Sequence, residues 1–348
     1  MFAVQAVLML ISATVGDRAA IIHSHSELKV PNSAEPCQSV VAPSTFNFGT
    51  KKKRGRLGSP DNEGIQPTGF VSLRGRSTIH GIDVSKYQDE TDFTTAQRCG
   101  AKFAYVRLSS ATYADNELLY RTHWSNARSS GLITGGYHNL SVLTNEMPVL
   151  LKATAAEILA NAAQYLQTAV ADADVQAKLF SDRLAEVKAL DAPRAGLPSE
   201  YLPSALDLSQ DPFPGGLPNA QKAFAPIYRA AVCRFVTQMK GGSTARPIIL
   251  MVSLQTYTSY DLSSAGCGLD RVILWIRFRA EDGDSFENHT DKGRYGELCI
   301  PAGASISRCK FEQYTSYGGF AIFKPNAGLD LDRFLGTPAE FKGILEGN

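Results

Sequence analysis

The chain has 348 residues, 44% of them hydrophobic, with 35 basic against 34 acidic side chains and a formal charge of +1. That is enough apolar material for one large or two ordinary domains, and the near-neutral balance supplies no global field for nucleic acid or an acidic partner. No apolar run approaches the roughly 18–20 residues that span a bilayer, so no transmembrane span is expected.

Residues 1–77 differ from the remainder. Phe2–Ile11 is mostly apolar and is followed by the small residues Ser12, Ala13 and Ala19–Ala20, in the manner of a cleaved export signal, although a positive n-region is missing. Thr50–Arg56 is a basic run, and Gly58, Pro60, Gly64, Pro67 and Gly69 follow it without apolar periodicity, as in a linker. The expected division is a signal-like segment and basic Gly/Pro-containing linker over 1–77, then one folded domain over 78–348. The expected location is secreted, periplasmic or cell-surface; a frayed tail is the competing reading of the first residues.

Ile79–Ser85 reads as a strand, Thr94–Cys99 as a short helix stopped by Gly100, and Lys102–Ser109 as an alternating strand. Glu117–Ser130 is a helix with Tyr120, Trp124 and Ala127 on one face, and Leu132–Leu140 is a third strand. Lys152–Ala171 carries an apolar stripe, and Val175, Leu179, Leu184 and Val187 suggest a second helix. A short buried strand follows at 201–208, then a helix through Phe224–Met239. Pro247–Ser253, Arg271–Phe278, Lys310–Ser316 and Gly328–Phe334 are the remaining strand candidates. Repeated strand–helix alternation argues for parallel strands, and 78–348 is close to the roughly 250 residues of a β/α barrel. An open doubly wound sheet would call for a Gly-rich phosphate turn after the first strand, and none is present.

In such a barrel the chemistry sits at the carboxyl ends of the strands. The polar residues there are Asp83, Ser109, Ser110, Tyr137, His138, Asp207, Ser209, Asp211, Trp275, Arg277, Gln313, Tyr314 and Asp330. Carboxylates with aromatic rings suit a carbohydrate cleft, because rings stack on sugars while carboxylates bind hydroxyls or act as acid, base or nucleophile. For each residue taken singly the plain alternative stands: Asp83 as a helix cap, Trp275 as core, His138 as a satisfied buried histidine. No cofactor motif or metal-ligand spacing is present. Cys299 and Cys309 could close a loop as a disulfide; Cys37, Cys99, Cys233 and Cys267 fit buried thiols equally well.

His80–Gln88 (HGIDVSKYQ), Phe103–Asn116, Gly131–Leu140, Ala205–Asp211 (ALDLSQD), Arg246–Leu250, Leu274–Phe278, Phe311–Ser316 and Gly328–Thr337 (GLDLDRFLGT) occur in an order that resembles glycoside hydrolase family 25. These are lysozymes, or N-acetylmuramidases. The resemblance covers about residues 78–345 and implies an α/β fold, an irregular TIM-like barrel of about five β/α units and then three further strands. It implies catalytic roles for Asp83, Asp207 and Asp330, and a peptidoglycan or related amino-sugar glycan as partner. Tyr137, His138, Ser209, Trp275, Gln313 and Tyr314 are the expected substrate-binding residues.

The departures bear on activity. The family's fourth strand carries Asp-x-Glu, whose glutamate is the proton donor; Asp207 matches the Asp, and Ser209 stands at the Glu. A serine cannot deliver a proton as a carboxylic acid can, and general acid–base assistance contributes about 10²–10⁴-fold. Glu312 replaces the usual tryptophan before the Gln-Tyr pair. Three outcomes are compatible with this sequence. A muramidase could cut the β-1,4 bond between N-acetylmuramic acid and N-acetylglucosamine with a relocated acid at Asp211 or Glu312. A degenerate barrel could bind the glycan without cutting it. A scaffold could retain the barrel alone.

Overall fold

In the computed structural model, the described residues are 78–113, 117–191, 195–208, 212–213, 217–241, 247–269, 272–277, 299, 308–318, 321–323 and 329–346. The first strand, β1 (Ile79–Val84), is buried along its whole length, as expected of a strand covered on both faces. Next to it, in parallel, lie β3 (Ala101–Ser110), β4 (Ile133–Asn139), β5 (Ala205–Asp207), β6 (Ile249–Val252), β7 (Ile273–Arg277) and β8 (Cys309–Gly318). β10 (Leu329–Phe334) pairs antiparallel with both β8 and β1 and closes an eight-stranded barrel. A separate two-stranded ribbon joins β2 (Gln88–Thr91) to β9 (Ala321–Phe323).

Helices follow the first five barrel strands. They are α1 (Phe93–Arg98) after β1, α2 (Tyr120–Ser129) after β3, α3 (Met147–Leu150), α4 (Ala155–Ala160) and α5 (Ala162–Asp191) after β4, α6 (Pro218–Lys240) after β5, and α7 (Leu254–Ser259) after β6. With β7, β8 and β10 this makes five β/α units and three further strands, the irregular barrel expected from the sequence. The two helices expected over 152–187 are divided differently. The interruption falls at Asn161, whose side-chain amide donates to the Glu157 carbonyl at 2.9 Å. Beyond it α5 runs unbroken for 30 residues.

A last helix, α8 (Pro338–Glu346), was not anticipated. Its start is nevertheless written locally: the Glu340 N–H donates to Thr337 Oγ1 at 3.2 Å and the Thr337 N–H to Glu340 Oε2 at 2.7 Å, a reciprocal cap.

Two apolar clusters result. One lies between barrel and helices and includes Trp124, Phe180, Phe224 and Phe235. The other fills the lumen with Phe103, Tyr105, Trp275, Phe311 and Phe334, and Phe341, Ile344 and Leu345 of α8 join it. Two glycines make room for this filling. A Cβ on Gly81 would meet the Phe103 ring at 2.2 Å, and one on Gly135 would meet the Tyr105 ring at 2.5 Å.

Cys233–Cys267 ties α6 to the segment before β7, and Cys299–Cys309 anchors the start of β8. The second is the loop closure expected from the sequence. The first corrects the reading of Cys233 and Cys267 as thiols. Cys99 is disulfide-bonded as well.

Candidate active site

Alternation decides which side chains enter the lumen. On β1, Asp83 faces inward and stands opposite Asp330 of β10. On β4 the inward residue is Tyr137, and on β5 it is Asp207, flanked in the ladder by Asn139 and Met251. On β8 it is Gln313, opposite Asp332 of β10.

These groups form a polar layer above the aromatic filling, in three hydrogen-bonded groups. The Tyr137 hydroxyl donates to Asp83 Oδ1 at 3.1 Å, and Gln313 Nε2 donates to Asp83 Oδ2 at 3.3 Å. Asn139 Nδ2 donates to Asp207 Oδ2 at 2.9 Å, and Ser110 Oγ donates to Asn139 Oδ1 at 3.2 Å. Trp275 Nε1 donates to Asp332 Oδ1 at 3.1 Å. Side-chain donors thus hold Asp83, Asp207 and Asp332, which an apolar barrel would otherwise expel.

Burial raises the Asp83 carboxyl well above the usual range, and Asp330 and Asp207 push in the same direction; Arg277 and the Tyr137 hydroxyl oppose them. Burial likewise raises the Tyr137 phenol, with Asp83 adding to the effect. Arg277 remains a cation: burial alone would lower it, and Asp207, Asp330 and Asp83 together more than offset this. Arg107 is a second guanidinium in the layer, with Nε on Glu117 Oε1 at 2.5 Å. Glu117 also accepts the Lys86 backbone N–H at 2.8 Å. The half-exposed Tyr87 ring lies 5.2 Å from the Arg107 guanidinium.

Several expected site residues lie elsewhere. His138 points away from the lumen into the helix layer. Its Nδ1 meets Ser109 Oγ at 2.8 Å, its Nε2 meets Gln176 Oε1 at 2.9 Å, and its ring stacks on Phe235. Glu312 is on the outer face of β8, paired with Arg333 Nε at 2.6 Å in a buried ion pair. Tyr314 shares that face, with the Arg333 guanidinium 5.3 Å from its ring centre. The physical reason is the same for all three: each is one residue out of step with an inward neighbour, Tyr137 or Gln313, and a strand turns adjacent side chains to opposite faces. His138, Tyr314 and Glu312, expected at the site, thus lie on the faces of their strands turned away from the lumen. Trp275 is inward but fully buried, below the carboxylates. Ser209 and Asp211 lie outside the described residues.

Arg107, Glu117, Asn139 and Asp332 were missed. For two of them a signal existed. Asp332 follows Asp330 by two residues in LDLDRF, and Arg107 follows Phe103 and Tyr105 at the same spacing. Among the described residues, no group of three or more His, Cys, Asp or Glu could hold a metal ion. No helix among them is long and apolar enough to cross a membrane.

Residues 82–149, from the end of β1 through α3, match the family model of glycosyl hydrolases family 25. The chain resembles that family. The matched segment carries Asp83 and Tyr137, two members of the polar layer. Lysozyme M1 of Streptomyces globisporus is 30% identical over 94 residues, covering 27% of this chain and 29% of that protein. The match thus spans less than a third of that relative. Among solved structures, a bacterial lysozyme from Streptomyces coelicolor is similar with a TM-score of 0.49 at 16% identity, over 78% of this chain and 99% of that one. A family GH25 lysozyme from Aspergillus fumigatus is similar with a TM-score of 0.48 at 18% identity, over 77% and 99%.

Proposed function

We propose that the barrel is a glycoside hydrolase acting on peptidoglycan-type glycan, at the β-1,4 bond between N-acetylmuramic acid and N-acetylglucosamine. The observation that carries this reading is the inward set of Asp83 and Asp207, at the carboxyl ends of β1 and β5, and Asp330, at the amino end of the antiparallel β10, all at one mouth of the barrel. The resemblance of residues 82–149 to a glycosyl hydrolase family supports it. Three carboxylates at a barrel mouth, Asp83 and Asp207 among them held by side-chain donors, suit an oxocarbenium-like transition state, whose positive charge they would stabilise.

In this reading Asp83, Asp207 and Asp330 face the reacting sugar and Asp211 is the candidate acid beyond β5. Tyr137 and Gln313 orient Asp83, and Asn139 orients Asp207. Arg277 offsets the mutual repulsion of the aspartates before substrate arrives. Residues 1–77 act as leader and linker, and the protein works outside the cytoplasm, in a compartment where its disulfides persist.

Ser209 at the usual acid position favours a second reading, a barrel that binds the glycan without cutting it. Turnover of purified cell wall separates the two. Wild type should release reducing ends, and Asp207→Asn and Asp211→Asn should each reduce the rate by about 10²-fold or more. Absence of turnover by wild type, with glycan pull-down retained and lost in Asp207→Asn, would establish the binding barrel instead.

A further inference from the structure

At the foot of the polar layer, the lumen holds a carboxyl that the proposed chemistry leaves unused. Asp332 has no exposed surface. Trp275 Nε1 satisfies its Oδ1, while no N–H or O–H donor among the described residues reaches its Oδ2. The residue directly opposite on β8 is Gln313. Its Nε2 is committed to Asp83, and its Oε1 is also buried without a donor. The Asp83 carboxyl lies diagonally across β1, within hydrogen-bonding reach of the Asp332 carboxyl.

The donor count therefore does not balance if both aspartates are ionised. Ionised carboxylates only accept hydrogen bonds, so a contact between two of them is repulsive. One proton on the pair resolves this. It converts the Asp83–Asp332 contact into a donated hydrogen bond. Reversing the Gln313 amide does not remove the need. The amide oxygen would then face Asp83, which would itself have to carry the proton.

We propose that Asp83 and Asp332 share a single carboxyl proton, with Asp332 a positioning residue that holds this proton below the site and returns it to Asp83. The step is a transfer of one proton from Asp332 Oδ2 to an Asp83 carboxylate oxygen. One O–H bond breaks, one forms, and the negative charge moves from Asp83 to Asp332. The shared proton stands without any assumption about substrate. Its use rests on the hydrolase reading, where a protonated Asp83 is a second candidate acid beside Asp211, in a chain with Ser209 at the usual acid position.

The groups facing Asp332 agree with this assignment. They are Asp83 from β1, Tyr105 from β3, Trp275 from β7, Gln313 from β8 and Asp330 from its own strand. Burial raises the Asp332 carboxyl well above the usual range, and Asp83 and Asp330 add to the effect. A carboxyl with its folded value raised contributes stability that is complete below its unfolded value, about 4, and is lost as pH rises through the folded value.

Infrared spectroscopy of the wild-type protein at neutral pH should show the C=O stretch of a protonated carboxyl, and Asp332→Asn should lose it. Thermal unfolding followed from pH 4 upward should decline less steeply in Asp332→Asn than in wild type. Absence of the band in wild type, or its persistence in Asp332→Asn, would overturn the proposal, as would parallel unfolding curves. If Asp332→Asn does not fold, Asp83→Asn serves as the second variant, since it removes the other half of the pair and should also flatten the curve. In turnover assays Asp332→Asn should displace the alkaline limb of the pH profile, and an unmoved limb would remove the catalytic use. A wild type inert on cell wall, with the infrared band present, would end the hydrolase reading and its relay while leaving the shared proton in place.

Discussion

Tyr137 of β4 donates its hydroxyl to Asp83 of β1 across 3.1 Å of a barrel lumen otherwise packed with aromatic rings. The two strands are not neighbours in the sheet; β3 lies between them. The bond therefore crosses the interior and helps fix the carboxyl at the mouth. Tyr137→Phe removes one donor from a buried carboxylate, and the expected loss is about 1–3 kcal/mol near neutral pH. The loss should shrink at acid pH, where Asp83 is protonated in either protein. Urea unfolding at two pH values measures both.

The Glu312–Arg333 pair gives a second prediction. Both side chains are buried. Removing one charge leaves the other uncompensated, which costs about 3–5 kcal/mol. Glu312→Gln retains an acceptor and should fall at the lower end of that range. If Glu312 instead served as a site acid, the variant would keep its stability and lose only turnover.

His138 sets an acid limit. Burial lowers its imidazole to about 4, with the Gln176 hydrogen bond opposing the shift. The unfolded chain takes up a proton near pH 6.5 and the folded chain does not, so stability is lost as pH falls from about 6.5 toward 4. The full contribution is about 3 kcal/mol. Nitrogen-15 NMR of the imidazole should place its midpoint near the lower value, whereas a midpoint near 6.5 would refute the buried, neutral assignment. His80 of β1 is lowered to about 4 as well, by burial and then by Arg333, and shifts stability in the same direction.

Gly135 tests the lumen packing. An added methyl would meet the Tyr105 ring at 2.5 Å and Leu202 Cβ at 2.7 Å. Overpacking a filled core costs about 1–3 kcal/mol. Gly135→Ala should lower the unfolding midpoint accordingly, and Gly135→Ala with Tyr105→Phe should not restore it, because the ring edge and not the hydroxyl is in the way.

Much of the barrel was legible in the chain. Strand-like runs ending in polar residues, separated by amphipathic helices, named the parallel strands and their order. The motif set around Asp83, Asp207 and Asp330 named the end of the barrel to examine. Facing was harder to read. His138 and Tyr137 are adjacent and both polar at one edge, as are Glu312 and Gln313. In a strand buried on both sides, composition does not mark which of two neighbours turns inward. Asp332 was overlooked for the related reason that LDLDRF offers two aspartates at the same parity.

Local sequence thus determined the elements, the cap that opens α8 and the carboxylates available at the strand ends, because these depend on residues a few positions apart. Closure of β10 against β1 and β8 decided the rest. It faces Asp83 with Asp330, sets Asp332 opposite Gln313, and sends Glu312 outward to Arg333. Those pairings join residues separated by up to about 250 positions, and their register depends on packing the whole ring rather than on any local propensity.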